Sequence, residues 1–283
     1  MVLGLPTPQD YAGSAQYVGV IVGPIAGRVG NATARVHDTV WEMDANTPPH
    51  CLHSGRDGLH QCAWDVRAQT DNSLTLGLHL AHGECGLPGN RDIEVQYAIE
   101  DAALTITITT LSDTDTPANA TSHAYWNLDG AGDLATHGVQ LPTTRMVQTD
   151  ADQIPTGQIY DARGTGHDFT QPRAPTAGPP LDHCFGLHDT PQSKLHKAMS
   201  LHSDRTGIRL DVTTNQPGLV LYSGQYLPKL PVPANTPPMA PFSALAIETQ
   251  GWPDALNHPN FPSILARADE KLIQITRFEL KMP

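Results

Sequence analysis

Apolar residues recur at every second position through most of this chain, and that period restricts it to stacked β-sheet. In Ser73–Leu80, Leu74, Leu76, Leu78 and Leu80 fall on one face of an extended strand, because successive side chains of a strand point to opposite sides. Ile93, Val95, Tyr97 and Ile99 alternate with polar residues, and Leu104–Thr110 is the cleanest half-buried strand. The stretches 207–214, 219–222, 244–248 and 272–280 repeat the theme. No segment carries a helical apolar stripe over a dozen residues; 8–15 and 193–197 would make a turn or two of helix. Many strands with few helices must bury sheet against sheet. The expected fold is therefore all-β, a large antiparallel β-sandwich forming a single domain over residues 1–283. Two Pro-rich connectors, 170–180 and 228–241, read as surface loops between strands and not as domain boundaries.

Charge narrows the partners. Lys and Arg total 17 against 29 Asp and Glu, a formal charge of −12, which disfavours nucleic acid, anionic membrane and multiply phosphorylated substrates. With 24 Gly and 25 Pro the chain is rich in turns, yet apolar runs recur along its length as disorder would not allow. Four cysteines in a chain of this size make no disulfide framework. The sequence opens without a basic-then-apolar leader and holds no apolar run of membrane-spanning length, so a cytoplasmic location is expected. Asn31-Ala-Thr33 and Asn119-Ala-Thr121 fit the glycosylation pattern, which has meaning only in a secreted protein.

Chemistry-bearing residues concentrate in four places. A strand-like run ending at Glu248 is followed at once by Thr-Gln-Gly-Trp-Pro-Asp-Ala, which delivers a carboxylate to a strand end beside a loop of special residues. The others are His50-Cys-Leu-His53-Ser-Gly55, Thr121-Ser-His123-Ala-Tyr-Trp-Asn127-Leu128, and Leu181-Asp182-His183-Cys184-Phe185. Aromatic rings beside Asn, Asp and His suit a sugar, whose C–H faces stack on rings while its hydroxyls take directed hydrogen bonds. His79, His82 and Cys85 invite a metal reading, but a spacing of three on a strand turns the two histidines to opposite faces, so no metal is expected.

These elements, in this order, resemble those of the aldose 1-epimerase (galactose mutarotase) family. The family's Leu-His-Gly-Gly element is matched by Leu52-His53-Ser54-Gly55, and its Asn-His-Ser-Tyr-Phe-Asn-Leu element by Ser122–Leu128. Its Asp-His-Xaa-Phe element is matched by Asp182–Phe185, and its Glu-Thr-Gln-Xaa-Xaa-Pro-Asp-Ala loop by Glu248–Ala255. The family's Asn-Arg-Ile element aligns in two registers. One puts Arg28 at the sugar-binding Arg and Gly27 at the Asn; the other puts Asn31 at the Asn and Ala32 at the Arg. The first also fits the flanking residues and is preferred.

The resemblance implies a supersandwich of the mutarotase type acting on a free hexose of the galactose or glucose kind, without a cofactor. It implies Glu248 as base on the C1 hydroxyl and His123 as acid at the ring oxygen, with Arg28, His53, Asp182, Trp252 and Gln250 binding the sugar. Trp126 is a further candidate for stacking. The family has strands before the segment matched by Met1–Leu5, so the resemblance also predicts an uncovered sheet edge through which two copies could form a homodimer. Competing functions are a hexose-6-phosphate 1-epimerase, which needs a basic cluster at the outer end of the pocket, and a non-catalytic carbohydrate-binding module. Glycoside hydrolysis by Asp182 and Glu248 would need the two carboxylates to flank one bond at about 5–10 Å.

Overall fold

Two antiparallel sheets organise the chain, and the alternation of side chains along their strands separates a buried core from an outer face that can carry chemistry. The computed structural model describes residues 1–12, 17–130, 132–229 and 239–283. The larger sheet has eight strands in the order His137–Gln140, His196–Ser203, Arg209–Thr214, Leu272–Lys281, Ala103–Ser112, Arg91–Glu100, Ser73–Leu80 and Asp65–Gln69. The smaller has six: Tyr125–Trp126, Leu245–Gln250, Gly218–Tyr222, Asp182–Gly186, Arg145–Thr149 and Pro155–Asp161. Short two-stranded pieces, among them Ile21–Val22 with Thr121–Ser122 and Arg28–Val29 with Cys51–Leu52, stand beside these sheets.

The expected strand at 73–80 is present with those limits, and the other alternating runs form strands that overlap their predicted positions. Their apolar faces meet in one core. Ile93, Val95, Ile106 and Ile108 of the large sheet belong to it with Phe185, Leu219, Leu221, Leu245 and Ile247 of the small one, and Trp126 stacks on Phe278 at 5.0 Å. Each such side chain contributes about 1.5–3 kcal/mol by leaving water. Trp126 is thus part of the core and presents no ring face to a ligand.

The helical expectations fare differently. Residues 8–12 form one short helix, Pro8–Ala12, while 13–15 lie outside the described residues. Residues 193–197 make no helix: His196 and Lys197 pair with Thr214 and Thr213 in the large sheet. A single isolated turn of helix cannot compete with a formed ladder, since helix nucleation is costly. Connector 170–180 is an ordered loop. Arg173 pairs its backbone with Val139 and donates from its guanidinium to Thr165 O and Ala177 O. Of connector 228–241, residues 230–238 lie outside the described residues.

One edge of the large sheet is bare. All five residues of Asp65–Gln69 are exposed, Val66 to 62%. The strand carries charged Asp65 and Arg67 and shifts register between Val66 and Ala68, two devices that keep a sheet edge from pairing further. All four cysteines are free thiols.

Candidate active site

The strands Asp182–Gly186, Gly218–Tyr222 and Leu245–Gln250 of the small sheet turn odd-numbered positions to the core and even-numbered ones outward, whereas Tyr125–Trp126 is offset by one, and register aligns the outward positions in rows. Cys184 pairs with Val220 and Val220 with Glu248, which makes one row. Asp182, Tyr222, Ala246 and Tyr125 make the next. Two acids distant in sequence are thereby brought onto one face. These rows floor a pocket of about 220 Å³, walled also by Tyr17, Arg28, His53, His123, Thr149 and Gln153.

Arg28 and His53 enter the pocket together because their strands pair: Arg28 lies opposite Leu52, and His53 N–H donates to Gly27 O at 3.0 Å. Gly27 N–H in turn donates to His53 Nδ1 at 3.1 Å. In a neutral imidazole that leaves Nε2 as the N–H donor. Burial, and then the neighbouring His123, hold His53 well below the usual imidazole range, so it is neutral. Arg28 Nη2 bonds Asp182 Oδ2 at 3.2 Å. Burial raises the Asp182 carboxyl, and the Arg28 guanidinium partly offsets that. In the competing register, Asn31 is exposed with its N–H donating to His50 Nδ1, and Ala32 is buried in a separate apolar cluster. Neither lines the pocket. Gly27 has φ +79°, and a Cβ there would sit 3.0 Å from Pro253, so no larger residue fits without strain.

The loop after Glu248 supports this corner from below. Asp254 Oδ1 accepts from Gly30 N–H at 3.0 Å, and Asn257 Nδ2 donates to Thr33 O at 3.0 Å.

At the deepest point His123 Nε2 and Glu248 Oε1 are 3.6 Å apart, with side chains 6% and 3% exposed. Burial, reinforced by Asp182, pushes the Glu248 carboxyl up to about 8, and burial pushes His123 down to about 4. At neutral pH the free pair therefore holds one proton, on Glu248.

Trp252 and Gln250 are placed otherwise than the resemblance implies, since neither lines the pocket. Trp252 is 1% exposed, donates from Nε1 to Pro217 O at 3.0 Å and packs with Phe261 at 5.1 Å. Its indole lies over two glycines: a Cβ on Gly186 or Gly218 would stand 2.8 or 2.7 Å from the ring. Gln250 is fully buried and donates to Gly251 O at 3.2 Å. The aromatic lining consists of tyrosines instead: Tyr17, Tyr125, Tyr222 and, at the rim, Tyr226, which is 71% exposed. Tyr125 stands in the matched His-Ala-Tyr-Trp element and Tyr222 in a predicted strand, where register alone selects the pocket face; Tyr17 and Tyr226 carry no sequence signal.

The donor atoms of His53, His123 and Glu248 lie within 4.8 Å of one another. Because Gly27 N–H occupies His53 Nδ1, the pocket-facing Nε2 of the neutral ring carries its proton and offers a hydrogen bond there. His79 pairs with Asp92 at 2.8 Å. His82 lies beyond the end of the strand and accepts from Gly89 N–H at 3.1 Å, so the two do not converge. No helix among the described residues is long and apolar enough to cross a membrane.

Comparison with known proteins bears on the family and the fold. A family model described as aldose 1-epimerase matches residues 1–279. Galactose mutarotase of Homo sapiens is 29% identical over 292 residues, covering 100% of this chain and 84% of its own length. Aldose 1-epimerase of Haemophilus influenzae is 30% identical over 290 residues, covering 96% of this chain and 83% of its own. The solved structure of a GalM/aldose epimerase homologue from C. elegans is similar with a TM-score of 0.92 at 28% identity, over 99% of this chain and 87% of that one.

Proposed function

Since the chain belongs to the aldose 1-epimerase family, isomerases that act on carbohydrates, we propose that it interconverts the α and β anomers of a free hexose of the galactose or glucose type. The observation that carries this reading is the buried His123–Glu248 pair, 3.6 Å apart, at the foot of a pocket with polar walls.

Anomer exchange needs the C1 hydroxyl proton removed and the ring oxygen protonated. With the resting proton passed from Glu248 to His123, Glu248 takes the O1 proton while His123 delivers its own to O5. The C1–O5 bond breaks as the C1 carbonyl forms, and the pair returns to its resting charge. Rotation about C1–C2 and closure on the other carbonyl face reverse both transfers. Each positioned group contributes about 10²–10⁴-fold. In this reading His53 donates from Nε2 to a sugar oxygen, and the Arg28–Asp182 pair orients hydroxyls further round the ring. Arg28 is the only Lys or Arg in the pocket lining among the described residues, and it is engaged by Asp182. A 6-phosphate would find no free cation there, which favours an unphosphorylated sugar.

Polarimetry of freshly dissolved α-galactose and α-glucose tests the reading. Catalytic amounts of protein should accelerate the approach to equilibrium. An unchanged rate with saturable sugar binding would instead indicate a binding module.

A further inference from the structure

We propose that Tyr17 is a positioning residue of this site, its ring gathering the imidazoles of His53, His60 and His123 and keeping bulk water off the His123–Glu248 pair. The inference rests on the mutarotase reading. The Tyr17 ring centroid lies 4.6 Å from that of His53, 4.9 Å from His60 and 5.8 Å from His123. The first two contacts are edge-on, at interplanar angles of 63° and 77°, the arrangement that aromatic quadrupoles prefer.

Its place is fixed from both sides. Just beyond it in sequence, Gly19 N–H donates to His123 O at 3.1 Å, and His123 N–H donates to Val20 O at 2.9 Å. The backbone after Tyr17 is thus tied to the residue its ring covers. Asn46 lies beside the Tyr17 hydroxyl and brackets Leu52 through both backbone groups, at 2.7 and 3.0 Å, immediately before His53.

Ionisable groups face His123 from every side: Tyr17, His53, His60, Tyr125 and Glu248, with the Arg28–Asp182 pair beyond. Burial dominates the downward shift of His123, and the neighbouring His60 adds to it. A ring that supplies much of that burial sets where the imidazole titrates. Replacing it with a small side chain admits water, and His123 then moves back toward its ordinary range.

The test compares Tyr17→Phe and Tyr17→Ala with the parent protein, with Tyr17→Leu as a bulkier apolar variant should alanine fail to fold. Two readouts are taken: the pH profile of kcat/KM for galactose, and the imidazole titration of His123 by NMR. The alanine variant should lower kcat about tenfold or more and raise both the acid limb and the NMR midpoint by about one pH unit. Phenylalanine should retain parental values, because the ring and not the hydroxyl excludes water. Unmoved titration in both the alanine and leucine variants, whatever happens to the rate, overturns the proposal. Because the NMR midpoint is read without turnover, it stands even if the parent accelerates no mutarotation, an outcome that would sink the functional reading alone.

Discussion

His123 Nε2 and Glu248 Oε1 face one another across 3.6 Å, while the far atom of each, Nδ1 and Oε2, is buried with no hydrogen-bond partner among the described residues. Polar atoms left so are expensive in a folded protein. In the proposed reaction it is the facing atoms, Nε2 and Oε1, that exchange protons with the sugar.

The pH dependence follows from this pair. Below about 4 both groups are protonated, above about 8 neither is, and between these values the pair holds the single proton the reaction needs. The kcat/KM profile for galactose should therefore be bell-shaped, with limbs that belong to the coupled pair. A profile flat from pH 4 to 9 would contradict the assignment.

Glu248→Gln should separate activity from stability. Loss of the carboxylate should reduce catalysis by about 10³-fold or more. The native carboxyl titrates at about 8 against an ordinary 4.5, so folding disfavours its ionised form. Its stability contribution is intact below pH 4.5 and is lost as pH rises toward 8. The variant should consequently gain Tm relative to the parent at pH 9 and much less at pH 5, as differential scanning calorimetry would reveal.

Arg28 and Asp182 should prove energetically coupled. Removing Arg28 alone leaves a carboxylate in a poorly hydrated place and should raise KM for galactose about tenfold or more. In a double-mutant cycle on sugar affinity, the Arg28→Ala and Asp182→Ala losses should deviate from additivity by about 0.5–3 kcal/mol. Strict additivity would mean that the 3.2 Å contact does not act as a unit.

Trp252 should matter for stability and little for the sugar. Trp252→Phe removes the indole bond to Pro217 O, which keeps its bonds from Leu187 and His188 N–H, and opens space over Gly186 and Gly218, at a cost of about 0.5–3 kcal/mol. Its Tm should fall by several degrees while KM for galactose stays within about twofold. A large KM change with an unaltered Tm would return the indole to the sugar site.

Much of this was legible before any coordinates. Strict alternation in 73–80 and 104–110 determined the strands, and four motifs named Glu248, His123, His53 and Asp182, all of which line one pocket. What alternation could not settle is which outward-facing positions become pocket and which are covered. Trp252 reads as a sugar platform until two glycines on neighbouring strands are seen to seat it flat against the sheet. Tyr17 and Tyr226 contribute through contacts that no local pattern encodes. The Arg28 register was ambiguous in sequence because each alignment keeps one of the two hydrogen-bonding side chains and loses the other. Pairing of Arg28 with Leu52 and burial of Ala32 distinguish them in space.

The bond from Gly30 N–H to Asp254 Oδ1 joins positions 224 residues apart, and it bears on when the protein becomes competent during synthesis. Chains fold from the N-terminus as they emerge, and contacts of such separation are the slowest to form. The strand pair that places Arg28 and His53 lacks this support until the segment around Asp254 has been translated. A nascent chain stopped before Glu248 would carry Arg28, His53, His123 and Asp182 yet lack the proposed proton-transfer pair, which only the last part of the chain completes.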